Sequence, residues 1–205
     1  MRRALLSILA ATLISTATFM STEARAADSG GQFAVEGIGG STCESFVAAK
    51  SESSDAYWMF LGWLDGYMTG INQYAPETYD ITPWQSQNLL AALFEKFCAR
   101  NPGANFFAVA NKMVVELRDD RLRESSAAIV AAVGERTIGL YRETLRRVQV
   151  RLEEGGHYQG EVDGLFGPKT RRALESYQKQ VGLTVTGLPD QATLFRLLSP
   201  SAARN

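Results

Sequence analysis

Residues 157–170 read HYQGEVDGLFGPKT, and this stretch decides how the last third of the chain folds. A helical pattern precedes it and is expected to stop at Gly155, because glycine ends helices readily. Pro168 suits the first turn of a second helix, and Asp190 suits the cap of a third. The core positions expected on the three helices are Leu145, Val148, Leu152, Ala173, Leu174, Tyr177, Val181, Leu194, Leu197 and Leu198.

The same region contains a short internal repeat. Val162–Thr170 and Val185–Thr193 both fit V-x-G-L-x-x-x-x-T, and the two copies lie 23 residues apart. Each copy is a glycine turn that leads into a helix. The pattern therefore indicates two similar turn–helix halves, although a chance match on four positions is the alternative.

A longer motif runs through residues 144–199. It reads Tyr158-x-Gly160-x-Val162-Asp163-Gly164-x-Phe166-Gly167-Pro168-x-Thr170, then Tyr177-Gln178, then Gly182-Leu183-x-Val185-x-Gly187 and Asp190-x-x-Thr193-x-x-x-Leu197. This motif resembles the three-helix peptidoglycan-binding module that many cell-wall hydrolases and envelope proteins carry. The resemblance implies a small all-helical module that binds peptidoglycan and does no chemistry itself.

The ligand of such a module is a glycan strand with short peptides, which suits backbone donors, an amide, an aromatic face and a cation. The candidate peptidoglycan-binding residues are Asp163, Gly164, Phe166, Gly167, Lys169, Thr170, Arg171 and Gln178. Structural roles compete with binding at several of them. Asp163 fits a turn-stabilising carboxylate, Phe166 fits the core, and Lys169 and Arg171 fit a solvated helix face equally well.

Residues 41–122 predict a separate helical domain. An aromatic-rich helix spans residues 56–74, and Gly62, Gly66 and Gly70 recur within it at a spacing that suggests close packing of another helix; a break at Gly62 or Gly70 is the alternative. Thr82 and Pro83 predict a helix from Pro83 to about residue 100, and a further helix follows from about residue 104 to 122.

Cys43 and Cys98 form an even pair in this domain, and a disulfide is their expected state after export. The sequences around both cysteines, Thr42–Phe46 and Phe97–Phe106, and the segment Gly62–Gly66 loosely resemble the HdeA-type acid-stress chaperones and the related Rap/Tai immunity proteins. That resemblance implies an all-helical domain tied by one disulfide.

The remaining segments complete the predicted organisation. Residues 1–26 have the basic start, apolar run and small-residue cleavage site of a signal peptide, with a membrane anchor as the alternative. Residues 27–40 are Gly- and Ser-rich and predict a disordered leader, whereas residues 123–143 predict a helical linker. The predicted fold is thus all-α, with two domains and no stable membrane insertion after cleavage.

Charge and residue types limit the function. Residues 27–122 carry 12 acidic and 6 basic side chains, while residues 123–205 carry 9 and 12, so neither half is basic enough to predict nucleic-acid binding. The chain has one histidine, His157, so a metal site or a zinc hydrolase is not expected, and no cofactor is predicted. A transglycosylase or serine acyl-transfer motif is not found either.

We therefore predict a periplasmic, non-enzymatic protein that binds peptidoglycan and tethers a helical protein-interaction domain to the cell wall. Peptidoglycan is the expected partner, together with an envelope protein bound by residues 41–122. The alternatives are an acid-stress-type periplasmic chaperone and a non-catalytic accessory or regulator of a cell-wall hydrolase or secretion system.

Overall fold

The computed structural model describes residues 27–199. Helices dominate this part of the chain, and one two-stranded sheet interrupts them. The elements are α1 (Cys43–Ser51), α2 (Asp55–Tyr74), α3 (Gln87–Cys98), α4 (Phe106–Leu117), β1 (Ala128–Val133), β2 (Arg136–Tyr141), α5 (Arg142–Glu154), α6 (Pro168–Gln180) and α7 (Gln191–Leu198). The predicted signal peptide, residues 1–26, lies outside the described residues. Within residues 27–199, none of the helices combines the length and the apolar character that a bilayer span requires.

Helices α1 to α4 share an aromatic core. Phe46, Phe60, Phe94 and Phe106 come from the four different helices, and each is almost completely buried. The ring centroids of Phe60 and Phe106 lie 4.7 Å apart, and those of Phe94 and Phe106 lie 5.0 Å apart. The predicted disulfide is confirmed, because Cys43 at the start of α1 is bonded to Cys98 at the end of α3.

Helix α3 begins later than the sequence pattern indicated. Its N-cap is Ser86, whose hydroxyl oxygen accepts a hydrogen bond from the backbone N–H of Leu89 over 3.3 Å. The predicted start at Pro83 was therefore wrong. Thr82 and Pro83 belong to a loop in which the side chain of Asp80 accepts a hydrogen bond from the backbone N–H of Thr82.

The glycines of α2 do not support a close helix contact. The helix is continuous across Gly62, Gly66 and Gly70, so the alternative of a break is also excluded. A methyl group added at any of the three would meet no atom within 4 Å, and Gly62 and Gly66 are exposed. The prediction that another helix packs on this ridge was wrong for residues 27–199.

Ordered structure begins before the predicted end of the leader at residue 40. A short 3₁₀ helix spans Gly37–Gly40, and the indole N–H of Trp63 donates a hydrogen bond to the carbonyl of Glu36 over 3.0 Å. Gly39 is buried against the same indole, where an added Cβ would lie 2.2 Å from the ring. Residues 36–40 are therefore held against α2 by Trp63, and only glycine fits beneath the indole at position 39.

A β-hairpin replaces the helical linker predicted for residues 123–143. Strands β1 and β2 pair antiparallel from Ala128–Tyr141 to Val133–Arg136, and Gly134 in the turn has φ +59°. The β-branched side chains of these strands favour extended backbone, which outweighed the Ala and Glu content that suggested a helix. They are Ile129, Val130, Val133, Thr137 and Ile138. The predicted linker was wrong, and the fold is mostly helical with one small sheet rather than all-α.

The two predicted domains pack directly on each other. Trp84, from the loop before α3, is 9% exposed and lies in the apolar core of α5 to α7. The carbonyl of Pro83 accepts a hydrogen bond from the hydroxyl of Thr144 over 3.3 Å, and the side chain of Gln191 accepts one from the backbone N–H of Ser86 over 2.8 Å. The described residues from Val35 onward accordingly form one compact unit.

Candidate functional site

The last three helices form the predicted small bundle. Leu145, Val148 and Leu152 on α5 and Leu174 on α6 are completely buried in one core. Pro168 occupies the first turn of α6, and Asp190 caps α7 by accepting a hydrogen bond from the backbone N–H of Thr193 over 2.9 Å. These parts of the sequence interpretation are confirmed, and two irregular turns connect the helices.

The turn between α5 and α6 is built on Gln149, which is completely buried. Its amide nitrogen lies within hydrogen-bond distance of the Asp163 carboxylate (3.0 Å), the Leu165 carbonyl (3.1 Å) and the Thr170 hydroxyl (3.2 Å). Its amide oxygen accepts from the backbone N–H of Gly164 over 2.7 Å. Gln149 thus gives the buried N–H of Gly164 its acceptor and links the polar groups of the turn to α5.

Gln178 does the same for the turn between α6 and α7. Its amide nitrogen lies 2.9 Å from both the Leu188 carbonyl and the Thr193 hydroxyl, and 3.0 Å from the Thr186 hydroxyl. Its amide oxygen accepts from the backbone N–H groups of Thr186 and Gly187, each over 2.9 Å. Gln178 is completely buried, so its contribution to the site is to fix the backbone of this turn.

The matching hydrogen bonds extend the internal repeat beyond the turns. The helices repeat R-x-x-L-x-x-x-Q at Arg142–Gln149 and Arg171–Gln178, 29 residues apart, while the turns repeat 23 residues apart. In both halves the glutamine amide reaches the glycine N–H, the leucine carbonyl and the threonine hydroxyl of the following turn. This geometry supports two equivalent halves over a chance match of four positions.

Each turn glycine lies beneath the arginine that begins its half. Gly164 has φ +69°, and an added Cβ would lie 2.5 Å from the carbonyl oxygen of Arg142. Gly187 has φ +67°, and its Cβ would lie 3.0 Å from Cγ of Arg171. Both the backbone angle and the close approach therefore require glycine at these positions.

Three of the eight predicted site residues are buried inside the module. Gly164 is buried, Thr170 is 2% exposed and donates to the Leu165 carbonyl over 3.2 Å, and Gln178 is enclosed as described. Asp163 is half-buried at the edge of the first turn. The backbone N–H of Leu165, followed by the amide of Gln149, lowers the pKa of its carboxyl below the ordinary value. The carboxylate therefore remains ionised and supports the turn.

The other four predicted residues reach the surface beside the first turn and along α6. Phe166 packs partly against the core, Gly167 is half-buried with open space around it, and Lys169 is exposed. Arg171 is exposed and pairs with Glu175 over 2.7 Å. The structure thus brings Asp163, Phe166, Gly167 and Lys169 together around one turn, whereas Arg171 lies over the second turn.

Two residues of this arrangement were missed by the sequence interpretation. Gln149 organises the first turn, and exposed Arg142 donates to the Asp163 carbonyl over 2.8 Å. The signal that identifies both is their alignment with Gln178 and Arg171 in the helix repeat, which is longer than the turn motif alone.

The chemistry offered by these surfaces is hydrogen bonding, ion pairing and apolar contact. A hydrogen bond of 3.0 Å joins Nδ1 of His157 and the Ser176 hydroxyl. Within residues 27–199, no three His, Cys, Asp or Glu side chains are arranged as a metal site. The two cysteines are joined to each other, so neither is a free thiol.

Comparison with known proteins gives this bundle a family. Residues 141–197 match the model described as a putative peptidoglycan binding domain. The matched segment begins at the last residue of β2 and ends within α7, so it contains both glutamine-centred turns. The same comparisons give no support to the resemblance between residues 41–122 and HdeA-type proteins. A search of solved structures found no significant match.

Several curated proteins are similar over a comparable length. The N-acetylmuramoyl-L-alanine amidase CwlM of Mycobacterium tuberculosis is 43% identical over 58 residues, which are 28% of this chain and 14% of the amidase. A spore cortex-lytic enzyme of Oceanobacillus iheyensis is 36% identical over 63 residues, which are 31% of this chain and 23% of the enzyme. A putative OxPP cycle protein OpcA of Synechococcus elongatus is 35% identical over 83 residues, 40% of this chain and 18% of that protein. The similarity spans less than a quarter of each relative. With the family match and the two intact turns, it follows that residues 141–197 are a peptidoglycan-binding domain.

Proposed function

We propose that this protein is a non-enzymatic component of the bacterial cell envelope that attaches to peptidoglycan through residues 141–197. This attachment holds residues 41–122, the helical part of the protein, at the wall. The observation that carries this proposal is the peptidoglycan-binding domain, in which a buried glutamine is hydrogen-bonded to each of the two turns. The disulfide between Cys43 and Cys98 supports an oxidising compartment such as the periplasm. The signal-like start of the sequence agrees with export.

Binding is assigned to the exposed residues around the turns. Lys169 and Arg171 supply cations for peptide carboxylates, Phe166 supplies an aromatic edge, and the open space around Gly167 lets a sugar approach the backbone. Gly164, Thr170 and Gln178 act by shaping the surface, and Asp163 acts mainly by holding the first turn. The buried residues therefore affect binding through the fold of the domain.

The absence of catalysis is part of the proposal. A cysteine transpeptidase requires a free thiol, and both cysteines of this chain are joined in the disulfide. A histidine-rich zinc hydrolase site requires more than the single histidine of the sequence. The relatives named as amidase and lytic enzymes share less than a quarter of their length with this chain, so their activities are not extended to it.

The helical part is proposed to bind an envelope protein while the domain holds the wall. Its exposed large apolar side chains include Trp58, Met59 and Tyr74, all on α2. Exposed apolar side chains of this kind are typical of protein-interaction surfaces. The open glycine face of the same helix lets a partner approach the backbone closely.

The binding surface is tested by sedimentation of the full chain with purified peptidoglycan sacculi. Lys169→Glu combined with Arg171→Glu is expected to weaken binding about tenfold, because two cationic contacts are reversed. Lys179→Glu, on an exposed residue at the end of α6, is the control and should bind like the wild type. Equal binding by the double variant would remove this surface from the proposal.

A further inference from the structure

A large groove lies at the surface where the helical part of the protein meets the peptidoglycan-binding domain. Its volume is about 1230 Å³. One wall is formed by α3 and α4, and the other by α5, the end of α6, and α7. The groove therefore does not belong to the domain alone, because more than half of the residues that line it lie outside the matched segment.

The floor of the groove is apolar. Phe97 and Met113 contribute from the helical part, and Tyr177, Phe195 and Leu197 contribute from the domain. All five are partly buried, so each keeps some surface open to the groove. Such a floor suits small apolar groups of a ligand better than a sugar ring covered with hydroxyls.

The rim of the groove contains four basic side chains that are not paired with a carboxylate. Lys96, Arg100 and Lys112 line the helical wall, and Arg196 lines the domain wall. Among residues 27–199, none of these four side chains makes an ion pair or a side-chain hydrogen bond. The ammonium of Lys112 instead lies 5.4 Å from the centre of the Phe97 ring. These cations are available to an anionic ligand.

Two of the four acidic residues of the rim already have partners. Asp120 accepts hydrogen bonds from Trp84 and Gln85 and pairs with Arg147 over 3.5 Å. Glu154 pairs with Arg151 over 2.9 Å. Glu116 and Asp119 remain as acceptors for a positive group. The unpaired charged side chains of the rim are therefore four cations and two carboxylates.

We propose that this groove binds the peptide stem of peptidoglycan, an inference that rests on the proposed function. A stem carries free carboxylates, the amine of a diamino acid and methyl side chains. The carboxylates fit the Lys96, Arg100, Lys112 and Arg196 side chains, the amine fits Glu116 and Asp119, and the methyl groups fit the apolar floor. The helical part is then one wall of the binding site as well as a surface for other proteins.

The test uses the full chain and two soluble probes, a disaccharide–tetrapeptide released from peptidoglycan and the same disaccharide without peptide. Binding is measured by titration calorimetry. The wild type should bind the peptide-bearing probe, and Lys96→Glu combined with Arg100→Glu should bind it about tenfold or more weakly. Lys179→Glu, which lies outside the groove, should match the wild type. The single variant Lys112→Gln gives a milder change and should also weaken binding.

The outcomes separate this inference from the proposed function. If the wild type sediments with sacculi but the groove variants bind the peptide probe as tightly as it does, the groove assignment is overturned and wall attachment stands. Equal affinity of the wild type for the peptide-free disaccharide would likewise overturn it. If the wild type neither sediments with sacculi nor binds the probe, both ideas fail together. Circular dichroism of each variant confirms that the comparison is between folded proteins.

Discussion

At the residue scale, two buried glutamines decide the shape of the peptidoglycan-binding domain. A glutamine amide offers two donors and an acceptor in one plane, which lets it replace water around a tight turn. Gln149 and Gln178 are both completely buried, and each bonds backbone groups of the turn that follows its helix. Their hydrogen bonds allow loops with few apolar side chains to be enclosed at low cost.

Replacement of one of these glutamines should destabilise the domain strongly. Gln178→Ala leaves the backbone N–H groups of Thr186 and Gly187 without their acceptor, and we expect a loss of about 2 to 4 kcal/mol in the free energy of unfolding. Gln180→Ala, on an exposed residue of the same helix, should change it by less than about 0.5 kcal/mol. Urea unfolding of both variants measures this, and equal stabilities would contradict the role given to Gln178.

Two neighbouring glycines should respond in opposite ways to the same change. Gly164→Ala is expected to destabilise the protein by about 2 kcal/mol or more, because the residue has positive φ and its Cβ would meet the Arg142 carbonyl. Gly167→Ala should be nearly neutral for stability, because its φ is −148° and the space around it is open. Thermal unfolding distinguishes them. A neutral Gly164→Ala would show that the turn adapts.

The sequence was informative about which residues matter here and less so about what they do. Glycine turns, Pro168 and Asp190 have local signals, because backbone angles and helix caps depend on few neighbours. Gln178 was assigned to ligand binding, since a glutamine in a polar motif has no local sign of burial. Its partners, the backbone of residues 186–188 and Thr193, come together only when α6 packs beside the turn.

At the element scale, the hairpin of β1 and β2 is the structure that the sequence pattern predicted incorrectly as a helix. Residues 128–141 contain alanine and charged residues that suit a helix, together with β-branched side chains that suit a strand. The hairpin lies directly before α5, and Ile129 and Leu140 pack against the core of the domain. That tertiary contact favours the extended form. It cannot be predicted from the sequence of residues 128–141 alone.

The disulfide is the element-scale feature that the sequence identified correctly, and its effect can be measured. Cys43 and Cys98 close a loop of 55 residues. We expect Cys43→Ser with Cys98→Ser to lower the free energy of unfolding by about 4 kcal/mol, because the unfolded chain gains freedom. Urea unfolding of this variant should match that of the reduced wild type. Unchanged stability in both would contradict a structural role for the bond.

At the scale of the whole molecule, the helical part and the domain form one packed unit. Trp84 from the helical part is buried in the core of the domain, and its indole N–H donates a hydrogen bond to Asp120. Arg147 of α5 donates to the carbonyls of Asp120 and Arg121 over 2.6 and 3.1 Å. The difference in charge between residues 27–122 and residues 123–205 suggested two domains, but it carries no information on these contacts.

Removal of Trp84 should uncouple the two parts. Trp84→Ala is expected to cost about 3 kcal/mol or more, because it empties a buried aromatic site between them. Trp58→Ala, at a tryptophan that is 64% exposed, should have little effect. Circular dichroism and calorimetry should report one transition for the wild type and two for Trp84→Ala. A single, unshifted transition in Trp84→Ala would contradict the coupling.

The central claim is that the folded chain binds peptidoglycan through residues 141–197. The most direct measurement is sedimentation of the full protein with purified sacculi, beside an equal mass of insoluble cellulose, which lacks peptides. We predict saturable recovery of the protein in the sacculus pellet and none above background with cellulose. Protein that is folded by circular dichroism yet stays in the supernatant with sacculi, or that pellets equally with cellulose, would contradict the account.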